Sequence, residues 1–230
     1  MGQILIVAEK PSVARDIARV LAVNAKGDGC IRNEKYVVTW AIGHLVSLKE
    51  PEELDEKFKR WRQADLPILP EKMELKVLPK TRSQFSIVKK LMNSKETDSV
   101  ICATDSGREG ELIFRYIYDM AGCKKPFERL WISSMTDESI RAGFDSLKPG
   151  SQYDALYESA RCRSEADWLV GMNASRAFTL RYDVLLSVGR VQTPTLQMLV
   201  KRRKEIDAFQ SEPFYTVQAD FGDHMFLHLF

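Results

Sequence analysis

Short apolar runs, each closed by charged or glycine-bearing residues, alternate with amphipathic stretches along the first part of the chain. Ile4-Leu-Ile-Val-Ala8 and Val100-Ile-Cys-Ala103 read as strands buried on both faces. After the first of them, Val13, Ile17, Val20 and Leu21 recur along one face of a helix. Tyr36-Val-Val-Thr-Trp-Ala-Ile42, rich in β-branched and aromatic residues, predicts a strand that ends at Gly43-His44, after a turn at Gly27-Asp28-Gly29. A helix is predicted from Ser83 through Phe85, Val88, Lys89 and Met92, another over 109–121, and a strand over 127–132. Thr136 suits a helix N-cap, Asp137 and Glu138 favour the first turn, and Ile140, Phe144 and Leu147 supply the apolar stripe. Strands alternating with helices predict an α/β domain.

The polar residues that close these strands carry the chemistry. Residues 99–115 read strand, acidic glycine-bearing turn, helix, with Asp105, Glu109 and Glu111 crowded around Gly107 and Gly110. Open α/β sheets bind ligands at the carboxyl ends of their strands. Carboxylates this close repel unless a cation lies among them, and Mg²⁺ with a substrate phosphate is the usual hard-cation answer. The alternative is a solvated helix start, which acidic residues also suit. Glu9-Lys10 repeats the layout after the first strand, so parallel strands would bring Glu9 and Asp105 to one edge. His44 occupies the same kind of position after the third.

Residues 49–82 are charged and proline-punctuated, with Lys57, Lys59, Arg60, Trp61 and Arg62 in one patch. Such a patch can grip a nucleic-acid backbone and stack on a base, or be a solvated loop whose tryptophan plugs the core. Lys148-Pro-Gly-Ser151 marks a domain boundary, and 153–182 is helical, with Arg161/Glu165 and Arg163/Asp167 spaced i,i+4 and Gly171 hinting at close packing or a break. In Leu186-Ser-Val-Gly-Arg-Val-Gln-Thr-Pro-Thr-Leu196, Thr193 is an N-cap candidate and Pro194 fits the first helical position. That helix start carries no acidic residue, so Ser187, Gly189, Arg190, Gln192 and Thr193 suit a phosphate. Within 176–204, Arg176, Arg181, Arg190, Lys201, Arg202, Arg203 and Lys204 face one acidic residue, Asp183, although a solvated helix face accounts for 201–204. The last stretch, from Phe214, alternates around Gly222-Asp223 as a β-hairpin.

Composition changes this picture little. The 230 residues are 44% hydrophobic and 29% charged with a formal net charge of +2, so any nucleic-acid surface must come from local clustering. Cys30, Cys102, Cys123 and Cys162 show no C-x-x-C spacing and suit reduced structural thiols. No signal-like or membrane-spanning stretch is present, and a cytoplasmic protein with no membrane partner is expected.

Three segments together carry a resemblance: Ile-Leu-Ile-Val-Ala-Glu-Lys-Pro-Ser at 4–12, Ala-Thr-Asp-Ser-Gly-Arg-Glu-Gly-Glu at 103–111, and Ser-Val-Gly-Arg-Val-Gln-Thr-Pro-Thr-Leu at 187–196. With 40–45, 129–134 and 165–177 they resemble the bacterial type IA DNA topoisomerases of the topoisomerase III branch. The resemblance implies a Rossmann-like Toprim domain with a four-stranded parallel sheet over 1–148. A mostly helical DNA-binding domain over 149–210 follows, then the start of a β-rich domain over 211–230. It implies Mg²⁺ on Glu9, Asp105 and Glu109, with Glu9, Lys10 and Arg190 serving the scissile phosphate. The loop Gly189, Arg190, Val191, Gln192, Thr193 and Pro194 would touch DNA, mainly single-stranded, and Ser187, Trp61, Trp168, Arg176 and His44 are further candidate contacts. The family activity is ATP-independent breakage, passage and rejoining of single strands through a 5′-phosphotyrosyl link, by a monomer. Two departures stand out. Gly107 replaces the middle carboxylate of the family's Asp-x-Asp-x-Glu, which points to a single Mg²⁺. No tyrosine lies in the family's Tyr-Pro-Arg context, so this looks like a fragment without the nucleophile, able to bind single strands but not to pass them. A Toprim primase or metal-dependent nuclease is the alternative, though it leaves 187–196 unexplained.

Overall fold

The computed structural model describes residues 2–220, 222 and 225–229. They divide into two compact units, Met1–Ser187 and Val188–Phe230, and each is described by itself. In the first unit the strands are β1 (Gln3–Ala8), β2 (Ala25–Gly27), β3 (Cys30–Arg32), β4 (Tyr36–Trp40), β5 (Val46–Leu48), β6 (Leu75–Val77), β7 (Thr97–Ala103), β8 (Phe127–Arg129) and β9 (Lys148–Pro149). Its helices are α1 (Pro11–Val20), α2 (Pro51–Leu54), α3 (Arg82–Met92), α4 (Arg108–Ala121), α5 (Asp137–Asp145) and α6 (Asp154–Tyr182).

Among the described residues the main sheet has seven strands in the order β2-β3-β4-β1-β7-β8-β9. Its centre, β4-β1-β7-β8, is the expected run of four parallel strands. The β2–β3 hairpin extends it antiparallel on one side and β9 on the other. The sequence boundary at 148/149 thus falls on an edge strand of this sheet, whereas the compact units part after Ser187.

The two-residue period explains why the central strands read as continuous apolar runs. Ile6, Ala8, Val38, Ile101 and Ala103 face α1, through Ala14, Ile17 and Ala18, with Phe144 of α5 packed at the margin. Leu5, Val7, Val37, Val100 and Cys102 face the other way, onto Phe85, Val88 and Met92 of α3 and Leu112, Ile113, Phe114 and Ile117 of α4. Both faces are covered, so the carboxyl edge is where functional groups can emerge. Burial pushes the Cys102 thiol up to about 11, which fits a structural role, and all four cysteines are free.

Local signals mostly set the boundaries. Pro11 opens α1, the Thr136 hydroxyl caps α5 by accepting the Ser139 amide at 3.3 Å, and α6 runs through Gly171 without a break. The strand expected over 127–132 stops at Arg129, because Leu130 to Met135 leave the sheet as a loop. Residues 49–82 hold more order than their composition suggests. β6 forms there and pairs with β5 just before it, and the segment packs on α6 through Trp168, which meets Ile68 and the preceding Leu48, and through Asn173, which bonds both backbone groups of Ile68.

The second unit contains α7 (Gln192–Asp207) and an antiparallel hairpin of β10 (Thr216–Asp220) and β11 (Met225–Leu229). Gly222 has φ of 81°, suited to a tight turn, and Asp223 lies outside the described residues. Among the described residues no helix is long and apolar enough to cross a membrane.

Candidate functional site

The register of the parallel strands builds the site. Ala8 lies beside both Trp40 and Ala103, so the residues that follow β1, β4 and β7 emerge together on one edge. Glu9 and Asp105 meet there as expected. Glu9 is buried, 7% exposed, and its Oε2 accepts the Asp105 backbone N–H at 3.1 Å. The Asp105 carboxylate is exposed. Lys10 Nζ lies 3.5 Å from Glu9 Oε1 and 3.9 Å from Asp105 Oδ2, so one exposed ammonium faces both carboxylates.

These contacts define a cation position. Both carboxylates face one ammonium, which sits beyond the length of a good hydrogen bond from either. Two carboxylates completed by water and substrate phosphate are what Mg²⁺ commonly takes, so the residues present fit it. Glu109, expected with them, is elsewhere: its Oε1 lies 2.6 Å from His44 Nε2. Among the described residues no group of three or more His, Cys, Asp or Glu could hold a metal. The site is a carboxylate pair with a lysine, and His44 and Glu109 form a second polar pair.

Two cavities flank it. One of about 470 Å³ is lined by Thr104, Asp105, Ser106, Trp131, Ser133 and Ser134. The other, about 610 Å³, is lined by His44, Gly107, Glu109, Arg163, Ser164 and Asp167. Gly107 is extended, with φ of 179°, and a Cβ there would meet nothing within 4 Å. Its glycine is therefore not demanded by the backbone, and the missing carboxylate leaves open space.

Gly110 is the opposite case. A Cβ there would lie 2.1 Å from the Asp105 carbonyl oxygen, so the glycine lets the turn fold onto the first turn of α4. Glu111, which reads as a helix-start residue, is fully buried between Arg129 and Arg115. Neither Gly110's role nor Arg129 could be read from sequence. Arg129 ends a strand, and only the folded sheet shows that it turns inward.

The remaining candidates are placed as follows. Trp168 is 8% exposed and its indole N–H donates to the Lys49 carbonyl at 2.9 Å. Arg176 is 4% exposed; it donates to the Phe58 carbonyl at 2.7 Å and to Glu52 at 3.2 Å, and its guanidinium lies 5.0 Å from the Trp61 ring centre. Trp168 and Arg176 are thus corrected from surface candidates to packing residues that hold 49–68 on α6, while Trp61 keeps an exposed part of its ring. Ser187 is exposed at the end of the first unit.

In the second unit Arg190 is exposed in the turn before α7. The helix opens two residues earlier than expected, with Gln192 first and Val191 at the N-cap. Thr193 is not the cap: its hydroxyl accepts the Gly189 N–H at 3.1 Å and ties the loop to the first turn. Pro194 lies within that first turn. Arg202 pairs with Glu205 and Arg203 with Asp207, so part of the 201–204 charge is neutralised along the helix.

The parallel sheet carries a buried glutamate, a lysine and an aspartate on its carboxyl edge, and the chain that builds it is similar to known proteins. The chain belongs to the Toprim domain family, whose model matches residues 4–135, more than half of the chain. A second family model, DNA topoisomerase, matches residues 151–228. The chain is 52% identical over 219 residues to DNA topoisomerase 3 of Bacillus thuringiensis (strain Al Hakam), and 53% identical over 218 residues to DNA topoisomerase 3 of Staphylococcus haemolyticus. DNA topoisomerase 3 of Bacillus subtilis (strain 168) is 50% identical over 219 residues. Each alignment takes 95% of this chain but only 30–31% of the relative, so the chain spans under a third of their length. The fold is similar to that of full-length topoisomerase I from Thermotoga maritima, with a TM-score of 0.64 and 23% identity over 96% of this chain and 34% of that one.

Proposed function

We propose that this chain is the metal- and phosphate-holding part of a type IA DNA topoisomerase of the topoisomerase III branch. The observation that carries the reading is the convergence of Glu9, Lys10 and Asp105 at the carboxyl edge of the parallel sheet. Glu9 and Asp105 would hold Mg²⁺, which when bound neutralises phosphate charge and polarises the reacting phosphoryl group. Lys10 contacts the scissile phosphate through its exposed ammonium. In the alternative role, Glu9 Oε1, the oxygen not tied to the Asp105 amide, exchanges a proton with the 3′-oxygen instead of binding the ion. Arg190 and the loop 189–194, with Ser187, bind the strand's phosphates, while Trp61 and His44 extend the contact.

In the full enzyme a tyrosine outside these residues attacks one strand, leaving a 5′-phosphotyrosyl link and a 3′-hydroxyl. Another strand passes, and the hydroxyl then religates. The chain alone binds single-stranded DNA as a monomer in the cytoplasm and does not cut it.

The test is anisotropy of a labelled single-stranded oligonucleotide in Mg²⁺ at rising salt. Affinity should fall with a log–log slope of about 0.7 per phosphate neutralised. Arg190→Ala should lower affinity alike for every sequence, as a phosphate contact does. Salt-independent binding, or none, refutes the reading. Hydrolysed strands would point to a metal-dependent nuclease instead.

A further inference from the structure

Arg129 closes β8 with no solvent exposure, and its guanidinium is surrounded by acceptors. Nε donates to Glu111 Oε2 at 3.0 Å. Nη1 donates to the carbonyls of Cys102, Thr104 and Leu130 at 3.1, 2.8 and 2.8 Å, and Nη2 to the Asp105 carbonyl at 2.6 Å. Glu111 is also held from the other side by Arg115 Nε at 2.8 Å, and Arg115 reaches on to the Gly150 carbonyl and Asp154.

The position of these acceptors is informative. Thr104 and Asp105 lie where β7 leaves the sheet, so their carbonyls lose ladder partners while Thr104 remains buried. Buried carbonyls without donors are costly; Arg129 supplies a donor to the Thr104 carbonyl from inside the fold, and at the Asp105 carbonyl it adds a second donor beside the Gly107 N–H at 2.9 Å. Asp105 is consequently held by two buried ionisable side chains: Glu9 accepts its N–H and Arg129 donates to its C=O. Both peptide planes that flank its Cα are fixed, and with them the direction in which the carboxylate leaves the chain.

We propose that Arg129 is a positioning residue for the Glu9–Asp105 centre, with Glu111 as the counter-charge that keeps the guanidinium buried. It touches neither ion nor substrate and acts through the main chain of Asp105. The metal half of this inference rests on the function proposed above; the main-chain half does not.

Two readouts on the 230-residue chain test it: amide hydrogen exchange of residues 104–109 in metal-free protein, and calorimetric Mg²⁺ affinity below the melting transition. Arg129→Lys keeps a charge for Glu111 but cannot reach all the carbonyls. It should speed exchange of 104–109 relative to the amides of β1 and weaken Mg²⁺ binding by about 10–100-fold, the usual cost of losing an outer-shell partner. Glu111→Gln keeps an acceptor for Arg129. It should lower the melting temperature while leaving Mg²⁺ affinity within about twofold of wild type, well inside the tenfold that 1.4 kcal/mol represents. If Arg129→Lys lowers only the melting temperature, with exchange and Mg²⁺ affinity unchanged, the proposal is overturned. If Asp105→Asn leaves Mg²⁺ binding intact, the metal reading fails by itself. The exchange comparison then decides alone: faster exchange supports positioning, unchanged exchange refutes it.

Discussion

Gly110→Ala is the smallest change that should disturb the carboxylate centre without removing any of its groups. The added methyl would sit 2.1 Å from the Asp105 carbonyl oxygen and 2.8 Å from its amide nitrogen. Ordinary C···O contacts begin at about 3.3 Å, so the turn and the helix must part by roughly 1 Å. Neither side yields easily. The Thr104 hydroxyl donates to the Gly110 carbonyl at 2.7 Å, Arg129 holds the Asp105 carbonyl, and Glu9 accepts the Asp105 amide. Overpacking of this kind costs about 1–3 kcal/mol. At this chain length each kcal/mol lowers Tm by about 2–4 °C, so a fall of about 2–12 °C is expected. The displaced carboxylate should also weaken Mg²⁺ binding by about tenfold or more. Circular-dichroism melting and a calorimetric Mg²⁺ titration measure the two effects. An alanine variant with wild-type Tm and wild-type Mg²⁺ affinity would refute the packing argument.

Other substitutions probe the neighbouring assignments. Gly107→Asp adds a carboxylate into open space on an extended backbone, so stability should change by less than about 0.5 kcal/mol. Its Mg²⁺ dissociation constant should fall by about tenfold, and a large loss of stability would show that the space is not open. Trp168→Ala should cost about 3–5 kcal/mol in urea denaturation and leave single-strand affinity of the folded variant unchanged; lost affinity at full stability would instead make Trp168 a DNA contact. Arg19 hydrogen-bonds Asp137 and holds its carboxyl below the usual 3.8, and Lys76 does the same to Glu53 below 4.5. Carboxyls depressed in the fold contribute stability at pH above their unfolded values, and that stability is lost as pH falls through the lowered values. Tm should therefore drop as pH falls below about 4.5, and the drop should be shallower in Arg19→Ala; equal slopes would remove that pair from the acid response.

The site's edge was legible because buried parallel strands announce themselves as apolar runs, and Glu9 and Asp105 follow two of them directly. The N-cap at Thr136 and the long α6 were legible for similar local reasons. What stayed hidden depends on which way side chains turn once the sheet exists. Arg129 and Glu111 look like surface charges in sequence but are fully buried. Trp168 and Arg176 look like a nucleic-acid surface, yet they are held by Lys49, Phe58 and Glu52, more than a hundred residues earlier in the chain. Glu109 has the spacing of a ligand, but the chain end of β4 delivers His44 to it first. Thr193 fits a cap by local rule and instead accepts a bond from Gly189. In each case the deciding partner is one that local spacing does not name.

The central claim is that Glu9 and Asp105 share one cation position, filled in this structure by the Lys10 ammonium. A calorimetric Mg²⁺ titration of the wild-type chain beside Glu9→Gln, Asp105→Asn and Lys10→Ala tests it most directly. The account predicts weaker binding in the two carboxylate variants and tighter binding in Lys10→Ala, where the competing charge is gone. Wild-type affinity in either Glu9→Gln or Asp105→Asn would contradict it.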